Sequence, residues 1–209
     1  MNIILIGPPA SGKGTQAEKL KVKFNFNYLS TGQMFREIVK QDTELSNDIK
    51  SYINVGKLVP DELTIRLVDE YLKKFDDNIL LDGFPRNLFQ ANELDKRINI
   101  DYIIEITASK DTIVKRIVDR GVCKNCGKNF VISKAKTNIC DACGGEIIKR
   151  ADDTVEIAES RYNDYLQKTY PIINFYKDRE GYHKIDGEMS ADEVFDQICK
   201  ILEKKIWFI

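Results

Sequence analysis

Apolar runs and amphipathic stretches alternate along most of the 209-residue chain. Short runs of mainly aliphatic and aromatic residues predict five strands, at residues 2–6, 28–30, 79–82, 102–106 and 182–185. Stretches with helical spacing lie between them, for instance at residues 13–23, 61–74, 88–98 and 110–119. This alternation predicts an α/β fold around a mostly parallel sheet.

The pattern near the C-terminus predicts one more helix. Its apolar residues recur at i, i+3, i+4, i+7, i+8 and i+11: Ala191, Val194, Phe195, Ile198, Cys199 and Leu202. Such a stripe packs on a core. Cys199 is therefore interpreted as a small buried hydrophobic residue, with no partner implied.

Two segments interrupt the alternation. Between Gly32 and Val59 the pattern is helical, with no strand of its own. Between Gly121 and Arg150 the chain is polar, rich in Lys, Asn and Gly, and contains four of the five cysteines. Both segments are predicted to be insertions on the α/β core, and the second is called the cysteine insertion below.

The composition excludes several classes of protein. With 43% hydrophobic and 31% charged residues, the chain is typical of a globular domain that needs no crosslinks. The 32 Lys and Arg nearly balance the 33 Asp and Glu, which argues against a chain-wide surface for nucleic acid. The apolar runs are too short to cross a bilayer, and a single histidine, His183, excludes chemistry that needs two. No charged segment with an apolar core precedes the first predicted strand, so we expect no signal peptide and a cytoplasmic protein.

A glycine-rich loop after the first predicted strand predicts a site for nucleotide phosphates. Residues 7–15 read GPPASGKGT and fit the pattern G-x-x-x-x-G-K, with Gly14 in the usual place of Ser or Thr and Thr15 one position later. Small residues let backbone N–H groups surround a phosphate, the helix N-terminus adds positive potential, and Lys13 adds a point charge. The alternative is a glycine-rich turn with an incidental lysine, and the strand–loop–helix context argues against it.

Two pairs of cysteines predict a metal site. Cys123-x-x-Cys126 and Cys140-x-x-Cys143 are separated by thirteen residues, a spacing typical of a four-cysteine zinc site. Disulfides are the alternative, and they are less suited to a reducing compartment. Four ligands leave no open coordination position, so zinc would be structural here. Because the insertion has few large apolar residues, its folding would depend on the metal.

Several motifs together resemble the adenylate kinases, within the nucleoside monophosphate kinases. The phosphate loop continues as GPPASGKGTQ, and three further segments agree in order and spacing: STG-x-x-x-R at 30–36, GKLVPD at 56–61, and LDGFPR at 81–86 followed by Gln90. Later matches are Arg120, the cysteine insertion, RADD at 150–153, Arg161 and DG at 186–187. The resemblance spans essentially the whole chain, and the set is far more specific than any single motif.

The resemblance implies a P-loop kinase fold with a central five-stranded parallel sheet, a helical AMP-binding insertion and a four-cysteine zinc lid. The parts would be a core at residues 1–29, 60–120 and 158–209, an AMP-binding domain at 30–59 and a lid at 121–157. The activity would be the reversible transfer of the γ-phosphoryl group of ATP to AMP, giving two ADP, with Mg²⁺. The partners would be ATP, AMP and ADP, with neither nucleic acid nor membrane, and the protein would be a monomer.

The site residues follow from the same resemblance. AMP already carries an anionic oxygen as its nucleophile, so the reaction needs stabilisation of charge rather than a general base. Six basic residues would surround the transferring group: Lys13, Arg36, Arg86, Arg120, Arg150 and Arg161. ATP would contact Ala10, Ser11, Gly12, Lys13, Gly14, Thr15, Arg116, Arg120, Asn129, Phe130 and Met189. AMP would contact Thr31, Arg36, Lys57, Leu58, Val59, Gly83, Phe84, Pro85, Arg86, Gln90, Arg150 and Arg161.

Some of these residues have a second interpretation from the sequence itself. Thr15 and Asp82 would hold Mg²⁺ through water, and Asp82 would also suit a turn before Gly83. Arg116, implied to stack on or near the adenine of ATP, and Arg120 are predicted one turn apart on a solvated helix face.

Two charged residues near the end of the cysteine insertion are also open to more than one role. Arg161 is spaced with Ala158 and Tyr165 along an apolar face, so it needs an anion, either a phosphate or a nearby carboxylate. Asp153 and Glu156 fit a D-x-x-E helix start, with Asp153 as the N-cap. We place Asp153 outside the catalytic set.

The choice of acceptor depends on Thr31 and Gln90. A glutamine amide offers a donor and an acceptor that match the N6/N7 edge of adenine, and within this family the pair favours AMP. Two departures from the family pattern bear on affinity. Ala10 replaces a glycine, so a positive φ there would cost about 1 kcal/mol, and Gln33 replaces an aspartate near the AMP pocket.

Two other functions stay open at this point. One is a P-loop kinase for another nucleoside monophosphate. The other is a nucleotide-gated module whose zinc ribbon binds nucleic acid, and against it the insertion offers Phe130 as its lone aromatic residue.

Overall fold

The computed structural model describes residues 1–53, 59–149 and 153–206. In chain order the strands are β1 (Ile3–Ile6), β2 (Asn27–Ser30), β3 (Ile79–Asp82), β4 (Tyr102–Thr107), β5 (Arg120–Cys123), β6 (Asn129–Val131), β7 (Ile147–Lys149) and β8 (Tyr182–Asp186). The α-helices are α1 (Lys13–Phe24), α2 (Thr31–Ile38), α3 (Glu44–Ile53), α4 (Asp61–Leu72), α5 (Leu88–Asp95), α6 (Lys110–Val118), α7 (Val155–Asp164), α8 (Pro171–Tyr176) and α9 (Ala191–Ile206). A 3₁₀ turn spans Ile132–Lys134, and a π-helix spans Tyr165–Thr169. None of the helices described is long and apolar enough to span a membrane.

The central sheet contains β1 to β4 and β8, all parallel, in the order β2-β3-β1-β4-β8. The five predicted strands are confirmed, each to within one residue at either end. β1 is central, with Ile4 paired to Leu81 on one side and Ile103 on the other. The carboxyl ends of β1 and β3 therefore lie side by side, which is where open parallel sheets bind ligands.

Helices cover both faces of this sheet, which explains why its strands are continuous apolar runs. On one face α2 to α5 and α8 contribute to a cluster that includes Leu67 and Leu81. On the other face α1 and α9 pack through residues such as Leu20 and Ile198. The predicted stripe of α9 is confirmed from Val194 to Leu202, with Cys199 buried on it, whereas Ala191 at the start of the helix is exposed.

The two interrupting segments differ in structure. The described part of the first, up to residue 53, is helical as predicted and buries Met34 and Ile49 in the same cluster as β3. The cysteine insertion folds mainly as an antiparallel sheet in the order β6-β5-β7. The sequence did not predict these strands because each has at most two adjacent large apolar residues, as in RGVC, NFV and IIK, and so forms no apolar run.

The prediction that Arg116 and Arg120 share a helix face is wrong. α6 ends at Val118, with Asp119 as its C-cap, and Arg120 is the first residue of β5. The Asp119 carboxylate accepts hydrogen bonds from the backbone N–H of Ser133, at 2.8 Å, and from its hydroxyl. These contacts tie the end of α6 to the turn after β6, so the chain leaves the helix one residue before Arg120.

Candidate active site and metal centre

The phosphate loop at residues 7–15 connects β1 to α1, as its sequence predicted. Gly7 packs so closely on β4 that a Cβ would lie 2.2 Å from the carbonyl oxygen of Ile106, so only glycine fits there. Ala10 has a φ of 56°, in the left-handed region. The positive φ considered for Ala10 in the sequence analysis is therefore present. It costs about 1 kcal/mol for a residue with a Cβ.

Lys13 folds back over the loop. Its Nζ donates to the carbonyl oxygens of Gly7 at 2.9 Å and Pro8 at 2.7 Å. Burial lowers the pKa of Lys13 to about 8, with nearby Arg86 also lowering it and Asp82 opposing them. The three side chains are therefore close enough to influence one another.

Asp82 is the last residue of β3 and lies beside the start of α1. The hydroxyl of Tyr28 donates to Asp82 Oδ2 at 3.0 Å, and a Cβ on Gly14 would lie 3.7 Å from the same oxygen. Thr15, in the first turn of α1, is exposed. A carboxylate and a hydroxyl of this kind suit Mg²⁺, which prefers oxygen ligands and keeps several waters.

The turn after β3 holds Arg86 next to the start of α2. Arg86 Nε donates to the carbonyl oxygen of Gly83 at 2.7 Å, and its Nη2 donates to Thr31 Oγ1 at 3.3 Å. Thr31 Oγ1 in turn donates to the Gly83 carbonyl at 2.9 Å. The carbonyl of Arg86 accepts a 3.0 Å hydrogen bond from Thr169, at the end of the π-helix. Arg86 is thus held within its own turn and by two other segments, at Thr31 and Thr169, while its side chain stays exposed.

Gln90 is 5% exposed in the first turn of α5. Its Oε1 accepts from the backbone N–H of Arg86 at 2.8 Å, and its Nε2 donates to Asp61 Oδ1 at 2.6 Å. Asn87 is the N-cap of α5, and its Oδ1 accepts from the Gln90 N–H at 2.9 Å. Asp61 and Asn87 were missed by sequence reasoning, because their contact joins two segments 26 residues apart.

Asp153 is not an N-cap, which corrects the D-x-x-E prediction. Thr154 is the N-cap of α7, and its side chain accepts from the Ile157 N–H. The side chain of Asp153 is 0% exposed and pairs with two arginines. Arg120 donates from Nε to Oδ2 at 2.8 Å and from Nη2 to Oδ1, and Arg161 Nη1 lies 3.5 Å from Oδ1.

Asp153 therefore joins two of the six predicted catalytic side chains. A buried carboxylate is stable only with such compensation. Of the two anions considered for Arg161, a carboxylate is present, that of Asp153. A phosphate would have to compete with Asp153 for the Arg161 guanidinium.

Arg116 connects the phosphate loop to the turn after β8. Its Nη2 donates to the carbonyl oxygen of Gly187 at 2.7 Å, and its Nη1 donates to those of Ser11 at 3.3 Å and Ala10 at 3.4 Å. Met189, two residues beyond Gly187, is partly buried against the α1 and α9 side of the core. Arg116 thus joins the two segments that the resemblance assigns to ATP.

Other predicted residues lie outside this group. Arg36 is exposed on α2 and makes no hydrogen bond or ion pair with any residue that the structure describes. Asn129 and Phe130 lie on β6 of the cysteine insertion. Val59 packs on the apolar cluster that includes Leu67 and Leu81. The predicted residues Lys57, Leu58 and Arg150 lie outside the described residues.

The four cysteines of the insertion come together. Their Sγ atoms all lie within 4.8 Å of one another, with Cys123 to Cys143 at 3.4 Å and Cys126 to Cys140 at 3.7 Å. Zinc–sulfur bonds of about 2.3 Å in a tetrahedron separate the sulfur atoms by about 3.8 Å, so the set fits zinc. All four are free thiols, so the disulfide alternative is not formed.

The two cysteine pairs have matching backbone turns. The N–H of Gly127 donates to the Cys123 carbonyl, and that of Gly144 to the Cys140 carbonyl, both at 2.9 Å. Each turn is closed by the glycine that follows the second cysteine of its pair. Such paired turns suit four thiolates around one ion, and four protein ligands would leave no position for a substrate.

Sequence comparison with known proteins places this chain in one family. The family model for adenylate kinase matches residues 5–181. The adenylate kinase of Bacillus pumilus (strain SAFR-032) is 42% identical over 212 aligned residues, which cover 97% of this chain and 98% of the relative. Those of Thermoanaerobacter sp. (strain X514) and Clostridium perfringens (strain SM101 / Type A) are each 41% identical with the same coverage.

Proposed function

Because the chain belongs to the adenylate kinase family of phosphotransferases, we propose that the cleft at the carboxyl ends of β1 and β3 is where it transfers the γ-phosphoryl group of ATP to AMP. The products are two ADP, and the reaction is reversible. The side chains assigned to the transferring group are Lys13, Arg36, Arg86, Arg120, Arg150 and Arg161.

The observation that supports this assignment best is the grouping of Lys13, Asp82 and Arg86. Lys13 and Arg86 provide positive charge from two adjacent segments, and Asp82, at the end of β3, is close to both. The acceptor oxygen of AMP is already anionic, so no side chain has to remove a proton. The protein contributes by holding two phosphates in line and by stabilising the charge that spreads over the phosphoryl oxygens.

Thr15 and Asp82 are the residues proposed to hold Mg²⁺ through water. When bound, the ion neutralises charge on the β- and γ-phosphate oxygens of ATP. Tyr28 orients the Asp82 carboxylate through its 3.0 Å hydrogen bond.

The remaining arginines are proposed to act with the cysteine insertion. Arg120 begins β5, and the buried Asp153 keeps it beside Arg161. Phosphates entering the cleft would compete with Asp153 for both guanidinium groups. Closure of a zinc-bound lid over ATP would exclude water, so that the phosphoryl group passes to AMP rather than to water.

We also propose the division into parts that the resemblance implied. The core would be 1–29, 60–120 and 158–209, the AMP-binding domain 30–59 and the lid 121–157. Zinc would be structural in the lid, held by Cys123, Cys126, Cys140 and Cys143. A monomer and a cytoplasmic location stay predictions.

The acceptor is proposed to be AMP because the amide of Gln90 contacts the backbone of Arg86, whose guanidinium contacts Thr31. The test is a coupled assay that offers ATP with AMP, CMP, UMP or GMP to the same enzyme preparation. We expect AMP to give by far the highest kcat/KM. A higher value with CMP or UMP would contradict the role of Gln90 and would favour a kinase for another nucleoside monophosphate.

A further inference from the structure

The side chain of Asp61 is contacted by both polar residues of the neighbouring helix start. Asp61 is the first residue of α4. Its Oδ1 accepts from Gln90 Nε2 at 2.6 Å, and Asn87 Nδ2 lies 3.0 and 2.9 Å from its two carboxylate oxygens. The N-terminus of α4 favours a negative charge at this position. Asp61 is therefore a fixed acceptor between α4 and α5.

These contacts determine which way the amide of Gln90 faces. The backbone N–H of Arg86 can only donate, so it requires the amide oxygen. The Asp61 carboxylate can only accept, so it requires the amide nitrogen. A half-turn of the amide would place donor against donor and acceptor against acceptor.

The orientation leaves the amide able to recognise a base. Oε1 has a second lone pair, and Nε2 has a second hydrogen. The N6/N7 edge of adenine offers a donor at N6 and an acceptor at N7. The amide oxygen of Gln90 must therefore face N6, and its nitrogen must face N7. A flipped amide would present the opposite order and would suit a different base edge.

We propose that Asp61 is a positioning residue for acceptor specificity, which fixes the amide of Gln90 in the orientation that recognises adenine. The inference rests on the proposed role of Gln90 and extends it to a residue that does not itself touch the nucleotide. Asp61 also follows Val59 by two residues, so it links the chain segment expected to line the AMP pocket to the helix that carries Gln90.

The first test is Asp61→Asn. An asparagine amide can turn its nitrogen towards Gln90, so residue 61 no longer selects one orientation of the Gln90 amide. Only the Arg86 N–H then opposes the flipped amide. We expect the KM for AMP to rise about tenfold and the preference for AMP over CMP, measured as kcat/KM, to fall by a similar factor. The KM for ATP and the kcat with AMP should change less than twofold.

Glu62→Gln is the matched control. Glu62 is the next residue in the same helical turn, it is exposed, and it makes no hydrogen bond or ion pair with the residues described. The variant removes the same charge from the same helix N-terminus without altering the acceptor for Gln90. It should keep the wild-type KM and preference. A change equal to that of Asp61→Asn would assign the effect to helix charge and overturn the inference.

Asp61→Glu and the Gln90 variants complete the test. Asp61→Glu keeps an acceptor-only group, so the preference for AMP should stay closer to wild type than in Asp61→Asn. Adding Asp61→Asn to Gln90→Leu should cause no further loss of preference. A lower kcat with every acceptor and an unchanged preference in Asp61→Asn would indicate a structural role only and overturn the inference.

The failure of the proposed function gives a different result. If Gln90→Leu keeps the full preference for AMP, the role of Gln90 is wrong whatever Asp61 does. If Gln90→Leu loses the preference while Asp61→Asn keeps it, only the inference about Asp61 is wrong.

Discussion

In the central sheet Leu81 is 1% exposed and lies under helices, whereas in the cysteine insertion Ile139 is 62% exposed. The sheet buries long apolar side chains on both faces. Each Å² of apolar surface removed from water stabilises the folded state by about 25 cal/mol. The insertion has three short strands, and its two fully buried cysteines, Cys123 and Cys140, belong to the metal cluster. Apolar burial thus stabilises the core, while the insertion is proposed to depend on four thiolates and a bound ion.

The largest expected effect is the loss of zinc in Cys140→Ala. Structural zinc sites bind with about 10–16 kcal/mol of free energy, so the loss of a ligand should unfold the insertion and leave the core folded. Zinc content per chain, measured by atomic emission after dialysis, should fall close to zero, and the main thermal transition should persist.

Cys199→Ala is the control for that prediction. Cys199 is buried on α9, far along the chain from the metal cluster. This variant should keep its zinc. Full zinc content in Cys140→Ala, or a single transition in which the core unfolds together with the insertion, would contradict the difference between the two regions.

The next largest effect is expected on the stability of the core, with the insertion as the comparison. Leu81→Ala removes a buried side chain and should lower the free energy of unfolding by about 2–5 kcal/mol. Ile148→Ala on β7 removes a side chain that is 36% exposed and should cost less than about 1 kcal/mol. Urea unfolding followed by circular dichroism, with and without a chelator, measures both. Similar costs for the two variants would show that the insertion has a core of its own.

Arg86→Ala in the core should lower kcat strongly while leaving the stability of the fold nearly unchanged. The guanidinium is exposed at the cleft, and removing one donor to a transition state costs about 3 kcal/mol, or about a hundredfold in kcat. The unfolding midpoint should change little. Arg66→Ala, which breaks only an exposed 3.7 Å pair with Asp48, is the control and should keep its activity. A parallel loss of activity and stability in Arg86→Ala would indicate a structural role.

The smallest effect is expected at the phosphate loop. Ala10→Gly removes the Cβ from a residue with φ of 56° and should raise the free energy of unfolding by up to about 1 kcal/mol. Ala17→Gly, within α1, should have the opposite sign because glycine weakens a helix interior. Destabilisation by Ala10→Gly would show that the loop is not strained by its alanine.

The same contrast explains how much of the fold could be predicted. The five core strands were found because a strand buried on both faces is an apolar run, as in IILI at Ile3–Ile6. The strands of the insertion, such as NFV at Asn129–Val131, are too short and too polar to give such a signal. The grouping of the four cysteines could still be predicted, because the spacing within each pair is local in sequence. Their Sγ atoms lie within 4.8 Å of one another, as a metal site requires.

Within the cleft, local motifs were predicted and long-range pairs were not. The phosphate loop follows from residues that are near one another in the chain. Arg86 lies in a local motif too, but its contacts with Thr31 and Thr169 span 55 and 83 residues. Asp153 was assigned as an N-cap because its sequence neighbours fit that motif equally well, and its burial against Arg120 depends on a contact 33 residues away. The link between Asp61 and Gln90 spans 29 residues and leaves no pattern in one sequence.

We propose that the core and the AMP-binding domain hold the two nucleotides, while a metal-dependent lid directs the phosphoryl group to AMP. The most direct test compares the zinc-loaded protein with protein stripped by a chelator, measuring ATP binding, ADP formed from AMP, and phosphate released to water. We predict that the stripped protein still binds ATP, forms ADP far more slowly, and releases a larger share of phosphate to water. Full ADP formation by the stripped protein, with no phosphate released, would contradict the account.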